Sequence, residues 1–138
     1  MTNSLSEDKI IKLFNRIMPK NMLLSDDDVS GIEFNNSKIF ISSDMLVEST
    51  DVPPSMNLVQ ASRKSIIMSV SDFASKGIIP KYCILSVGIP RSYSEKDIKN
   101  LVKGIAKGLK EYNIQLIGGD TNSSYESVSY THLRAHET

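Results

Sequence analysis

Aspartates recur where this chain leaves one apolar segment for the next. Asp26, Asp27 and Asp28 stand in one loop, Asp44 follows a strand-like run, and Asp120 follows another, while Asp72 lies within a helical stretch. Taken singly, such residues read as surface turn formers. Taken together they pose an electrostatic question. Four carboxylates gathered from Asp27, Asp44, Asp72 and Asp120 would repel one another in a confined cleft unless cations sat among them. Hard oxygen donors of this kind suit magnesium, which keeps several waters and bridges to substrate phosphates. Ser42 and Ser43, next to Asp44, offer further oxygens, and Gly118-Gly119 before Asp120 give the backbone room to approach a phosphate. A set of this composition serves phosphoryl transfer, in which positioning and charge neutralisation supply most of the catalysis. The P-loop, protein-kinase and dinucleotide-binding signatures are absent, so a kinase built on this chain would depend on carboxylates and metal.

The elements that must position these groups follow from periodicity. Residues 6–18 read as an amphipathic helix, with Ile10, Phe14, Ile17 and Met18 on one stripe and Pro19 at its end. Residues 31–34 and 38–41 read as strands of a hairpin joined at Asn35-Asn36-Ser37. Asn57 caps a helix that reaches Lys76 and stops at Gly77. On that helix Ile66, Val70, Phe73 and Ala74 share one side, whereas Asp72 falls with Ala61, Ser65 and Met68 on a stripe that faces either water or a site. Residues 82–89 form an apolar strand. Ser94 caps a second helix to about Tyr112, carrying Ile98, Leu101, Val102, Ile105 and Leu109 inward, and residues 114–117 form a strand leading into Gly118. Gly104 and Gly108 suit close helix packing, and the lysines around them form a solvated face. The order β-β-α-β-α-β predicts an α/β or α+β domain: a mixed sheet with helices packed on one face.

The chain has 138 residues, room for one domain with a sizeable core, and its 16 basic and 16 acidic residues cancel. No global field draws it to nucleic acid or an anionic membrane, and no apolar run is long enough to span a bilayer. Residues 1–9 are polar and acidic, unlike a signal peptide. The single cysteine, Cys83, excludes an intrachain disulfide framework and reads as a small core residue, consistent with a reducing cytoplasm.

With these residues assembled, the chain resembles the N-terminal domain of the thiamine-monophosphate kinase family, within the aminoimidazole ribonucleotide synthetase superfamily. The matching stretches are SDDDVS (25–30), ISSDMLVESTDVPP (41–54), SVSDFASKGIIPKY (69–82) and LIGGDT (116–121). The resemblance implies that Asp27, Ser42, Ser43, Asp44, Asp72 and Asp120 bind several magnesium ions, that Gly119 and Asp120 contact ATP, and that Asp51 contacts the substrate. It implies γ-phosphoryl transfer from ATP to thiamine monophosphate without a covalent phosphoenzyme, and a homodimer formed through the N-domain sheets. Two positions depart from the family pattern: Ser25 stands where glycine is usual, and Asp51 where many relatives carry histidine.

On this reading residues 1–128 form the ATP- and magnesium-binding domain of a two-domain kinase, the second domain is missing, and the piece is inactive alone. Residues 129–138 depart from the family continuation and are expected to be a disordered or foreign tail. His132 and His136, four apart there, would share a helical face for zinc, but no third ligand accompanies them. Other readings keep the fold and change the substrate (aminoimidazole ribonucleotide synthetase, selenophosphate synthetase or a hydrogenase-maturation enzyme), or reduce the chain to a non-catalytic dimerisation module.

Overall fold

A computed structural model describes residues 4–24 and 27–137. Ser25 and Asp26 lie outside the described residues. The first helix, α1 (Glu7–Asn15), opens at Ser6 and is shorter than its stripe suggested. That stripe buries nothing: Ile10, Phe14, Ile17 and Met18 all stay exposed. A hairpin follows, β1 (Val29–Phe34) and β2 (Ser37–Val47). Its two-residue turn places Asn35 and Asn36 at φ 49° and 62°, the left-handed pair of a type I′ turn, and Ser37 already belongs to the strand. A short helix that periodicity did not reveal, α2 (Glu48–Asp51), leads to α3 (Leu58–Ala74).

The ends of α3 are fixed by local hydrogen bonds. Asn57 and Gln60 form a reciprocal capping box at its start. At its finish Gly77 adopts φ 68°, the Gly77 N–H donates to the Ala74 carbonyl, and the Ile78 N–H donates to the Phe73 carbonyl. This is the Schellman pattern, and its partners Phe73 and Ile78 are both buried. Then come β3 (Tyr82–Pro90), α4 (Glu95–Glu111, with its own capping box at Ser94 and Asp97), β4 (Gln115–Ser124) and β5 (Val128–Glu137).

The five strands form one mixed sheet in the order β1-β2-β5-β3-β4, antiparallel throughout except for the β3–β4 pair. Helix α3 packs on β2 and β5, and α4 packs on α3, so the helices cover one face, as the pattern predicted. Residues 129–137 are therefore no disordered tail. They form the middle strand, with Leu133 fully buried and Ala135 nearly so. A run of alternating residues, Thr131, Leu133 and Ala135 inward and Tyr130, His132 and Arg134 outward, was the missed signal. A zinc site on a helical face is ruled out by the same strand, since residues four apart on a strand are about 13 Å apart.

The core gathers Val29, Phe40, Ile66, Phe73, Cys83 and Leu133 between sheet and α3. Burial pushes the Cys83 thiol up to about 11, so it is a packing residue. Val102, expected inside, is 57 % exposed, and Ala74 is exposed as well. Helix α4 instead presents Leu101, Ile105 and Leu109 with Gly104 and Gly108 between them. A side chain at Gly104 would collide with Ser62 Oγ and the Val59 carbonyl of α3. Gly104→Ala is therefore expected to destabilise the chain by about 1–3 kcal/mol, read by urea denaturation, because the backbone of α3 cannot yield as a flexible side chain would.

Candidate metal and nucleotide site

The alternation of β2 puts Phe40, Ser42, Asp44 and Leu46 on the face that α3 covers. Ser43 points to the opposite, bare face, so the two neighbouring hydroxyls do not converge as the sequence suggested. The hairpin ladder ends with Val29 opposite Ser42, which lets the chain at Asp27 pass beside Asp44. Helix α3 crosses above and delivers Asp72 in its last turn. The stripe on which Asp72 lies turns out to face the sheet: Ala61, Ser65 and Ser69 are buried beneath it.

Electrostatics record the resulting proximity. Burial raises the Asp72 carboxyl above the ordinary carboxylate value, and the charges of Asp44, Asp28 and Asp27 raise it further. Burial likewise raises Asp44, opposed by a hydrogen bond from the Met45 N–H and aided by Asp28 and Asp51. Asp27 behaves oppositely: Lys76 and the Val29 N–H hold it below the ordinary value. Asp27, Asp28, Asp44 and Asp72 thus form one acidic neighbourhood, although among the described residues no three such groups stand close enough to clasp one ion.

Two buried hydroxyls lie close to these carboxylates in the chain. Ser42 Oγ, on a residue 2 % exposed, and Ser69 Oγ, on a residue 0 % exposed, find no hydrogen-bond partner among the described residues. Leaving a buried hydroxyl unsatisfied costs about 1–3 kcal/mol. Ser42 lies one pleat from Asp44, and Ser69 lies one helical turn from Asp72. The donor chemistry, carboxylates with a buried hydroxyl, is of the hard-oxygen kind that suits a divalent cation.

Asp51 and Asp120 stand apart from this group in different ways. The Asp51 carboxylate accepts from the Val47 N–H at 2.6 Å and so closes α2, while its carbonyl accepts from Lys64 Nζ at 2.6 Å. It remains a charge neighbour of Asp44. Across the sheet, Asp44 is level with Thr131, Leu85 and Gly119 in turn. Three strand spacings separate Asp44 from Gly119, about 14 Å. Asp120 is level with Ser86 and Tyr130, so it lies on the other face of the sheet. The structure therefore does not bring Asp120 to the carboxylates at β2.

The glycine pair also differs from expectation. Gly118 and Gly119 make no turn and lie within β4. A side chain at Gly119 would collide with the Leu85 carbonyl, a sufficient packing reason for glycine there. At Gly118 a Cβ would meet nothing, and the strand offers open backbone at the sheet edge.

The family model described as AIR synthase related protein, N-terminal domain, matches residues 26–133. The chain belongs to that family. This AIR synthase related domain is 38 % identical over 126 residues to the thiamine-monophosphate kinase of Nitrosopumilus maritimus, covering 91 % of this chain and 39 % of that protein. It is 38 % identical over 122 residues to the thiamine-monophosphate kinase of Pyrococcus horikoshii, covering 88 % of this chain and 39 % of that one. It thus spans about two fifths of the length of the relatives it matches. Among solved structures, AaThiL complexed with AMPPCP and TMP superposes with a TM-score of 0.85 at 19 % identity, covering 98 % of this chain and 45 % of that one, which shows the fold.

Within the domain, sequence reasoning passed over two participants. Asp28 acts on both Asp44 and Asp72 and was visible only as one member of a triple-aspartate run. Lys76 pairs with Asp27 across 2.5 Å, and nothing in the sequence linked a lysine beside a helix-ending glycine to that loop.

Proposed function

We propose that the chain is the magnesium- and nucleotide-binding part of a thiamine-monophosphate kinase, working in the cytoplasm. In the reaction an oxygen of the thiamine monophosphate phosphate attacks the γ-phosphorus of ATP, the bond to the β-phosphate oxygen breaks, and ADP leaves. The observation that supports the reading is the half-buried Asp72 carboxyl, raised by burial and then by the charges of Asp44, Asp28 and Asp27, near a buried Ser42 hydroxyl that has no partner among the described residues. Asp27, Asp44, Asp72 and Ser42 would hold magnesium, which neutralises phosphate charge when bound. Gly119 and Asp120 would contact ATP along the edge strand β4, about 14 Å across the sheet from Asp44, with the ATP phosphates directed to the magnesium, and Asp51 would contact the substrate. The choice of substrate within the superfamily rests on the names of the relatives. A second copy is the proposed partner, docked on the bare sheet face, where Ile41, Met45, Ile84 and Tyr130 are exposed.

Thermal-shift measurements on the chain with magnesium and AMPPCP test the substrate class. Thiamine monophosphate is expected to raise the midpoint further, and aminoimidazole ribonucleotide precursors or selenide to leave it unchanged. The reverse pattern would move the assignment to a sister enzyme. Light scattering is expected to give a dimer mass; a monomer at high concentration would remove the second copy from the reading.

A further inference from the structure

Lys76 lies two residues past the end of α3, inside the Schellman turn that closes the helix. Its N–H donates to the Phe73 carbonyl at 3.0 Å, and Gly77 and Ile78 lock the chain immediately after. From that fixed base its ammonium reaches Asp27 Oδ2 at 2.5 Å, while Asp27 Oδ1 accepts from the Val29 N–H at 3.1 Å. The Asp27 side chain is 17 % exposed and that of Lys76 is 37 % exposed, so one edge of the pair opens to solvent. Asp28 also acts on the Lys76 charge. Asp44 and Asp72 face like-charged neighbours, and Lys76 stands at the Asp27 side of the group.

We infer that Lys76 is a resident countercation, which neutralises Asp27 in the metal-free chain and competes with the divalent cation for that carboxylate. This rests on the reading of the acidic neighbourhood as a magnesium site. A divalent ion ligated by Asp27 must take Oδ2 from the ammonium or bind against its positive charge, and either course weakens binding. Lys76 is thus a positioning residue that sets cation affinity. The geometry offers it a simple alternative position, because a long ammonium side chain that is one-third exposed can swing into water at little cost.

The probe is manganese(II), followed by the loss of its free-ion electron paramagnetic resonance signal as the 138-residue chain is titrated. Lys76→Met keeps the length of the side chain and removes its charge. It is expected to tighten manganese binding by about three- to tenfold, an effect limited by solvent screening. Lys76→Arg, which keeps the charge, is expected to stay within about twofold of the parent. The metal-free midpoint of Lys76→Met, measured in EDTA, is expected to fall, and the gap from the parent to close when manganese is added. Unchanged or weaker manganese binding by Lys76→Met, with the parent binding normally, would overturn the inference and leave the magnesium reading intact. Absence of binding by the parent itself would overturn both.

Discussion

Ending the chain after Ser127, so that β5 is missing, is expected to abolish cooperative unfolding. Strand β5 pairs with β2 along one edge and β3 along the other. Without it the β1–β2 hairpin and the β3–β4 pair have no common sheet, and a two-stranded unit is marginal in water. Leu133 leaves the centre of the core and Thr131 leaves its contact with the Ser65 carbonyl. Even Leu133→Ala alone should cost about 2–5 kcal/mol, against a total of about 5–15 kcal/mol for a domain. Thermal melts followed by circular dichroism check this: the truncated chain should show no sigmoidal transition, while Leu133→Ala keeps one at a lower midpoint. A truncated chain melting like the parent would place the core elsewhere.

The second large effect is expected at Asp72. Asn is isosteric and uncharged, so Asp72→Asn should weaken one proposed ligand, leaving a neutral amide oxygen, and remove one source of repulsion. Cation affinity should fall by about tenfold or more, given that even outer-shell partners of a metal carry that scale. The metal-free chain should meanwhile become more stable at neutral pH. The sign follows from the directions of the shifts. Asp44 and Asp72 are raised above 3.8 in the fold, so their ionised forms are penalised there. The penalty is full above their folded values, fades as pH falls through them, and is gone below 3.8. Asp27 is depressed, and its stabilisation is present above 3.8 and lost only as pH falls through its lower folded value. Denaturation in EDTA should therefore show the parent gaining stability on acidification from neutrality towards 3.8, relative to a flatter Asp72→Asn. Equal pH profiles for the two proteins would contradict the proximity of Asp44 and Asp72.

What could be read from the sequence divides along physical lines. Local signals were strong enough to be found: the caps at Asn57 and Ser94, the stop at Gly77 and the apolar run of β3. Asp27, Asp44 and Asp72 were expected to converge; Asp72 lies within reach of the charges of Asp44 and Asp27, but among the described residues no three carboxylates stand close enough to hold one ion. Non-local pairing was harder. β5 was missed because its alternation is weak, with polar Thr131 among the inward residues and Tyr130, His132 and Arg134 outward, and its burial comes from two strands far away in the chain. Gly118-Gly119 suggested the end of a strand, yet they lie within an edge strand that stays exposed on both faces. Ser43 and Asp120 were misplaced for one reason, the two-residue period of a strand, which sends neighbours to opposite faces. Lys76 was invisible because its partner lies far away in the chain and the pair forms only when α3 crosses the sheet.

Calorimetric titration of AMPPCP into the chain, with magnesium and again in EDTA, tests the central claim most directly. The account predicts saturable binding with magnesium, its loss in EDTA, and its loss in a chain carrying both Asp44→Asn and Asp72→Asn. Equal binding with and without the cation, or binding untouched by the double substitution, would contradict it.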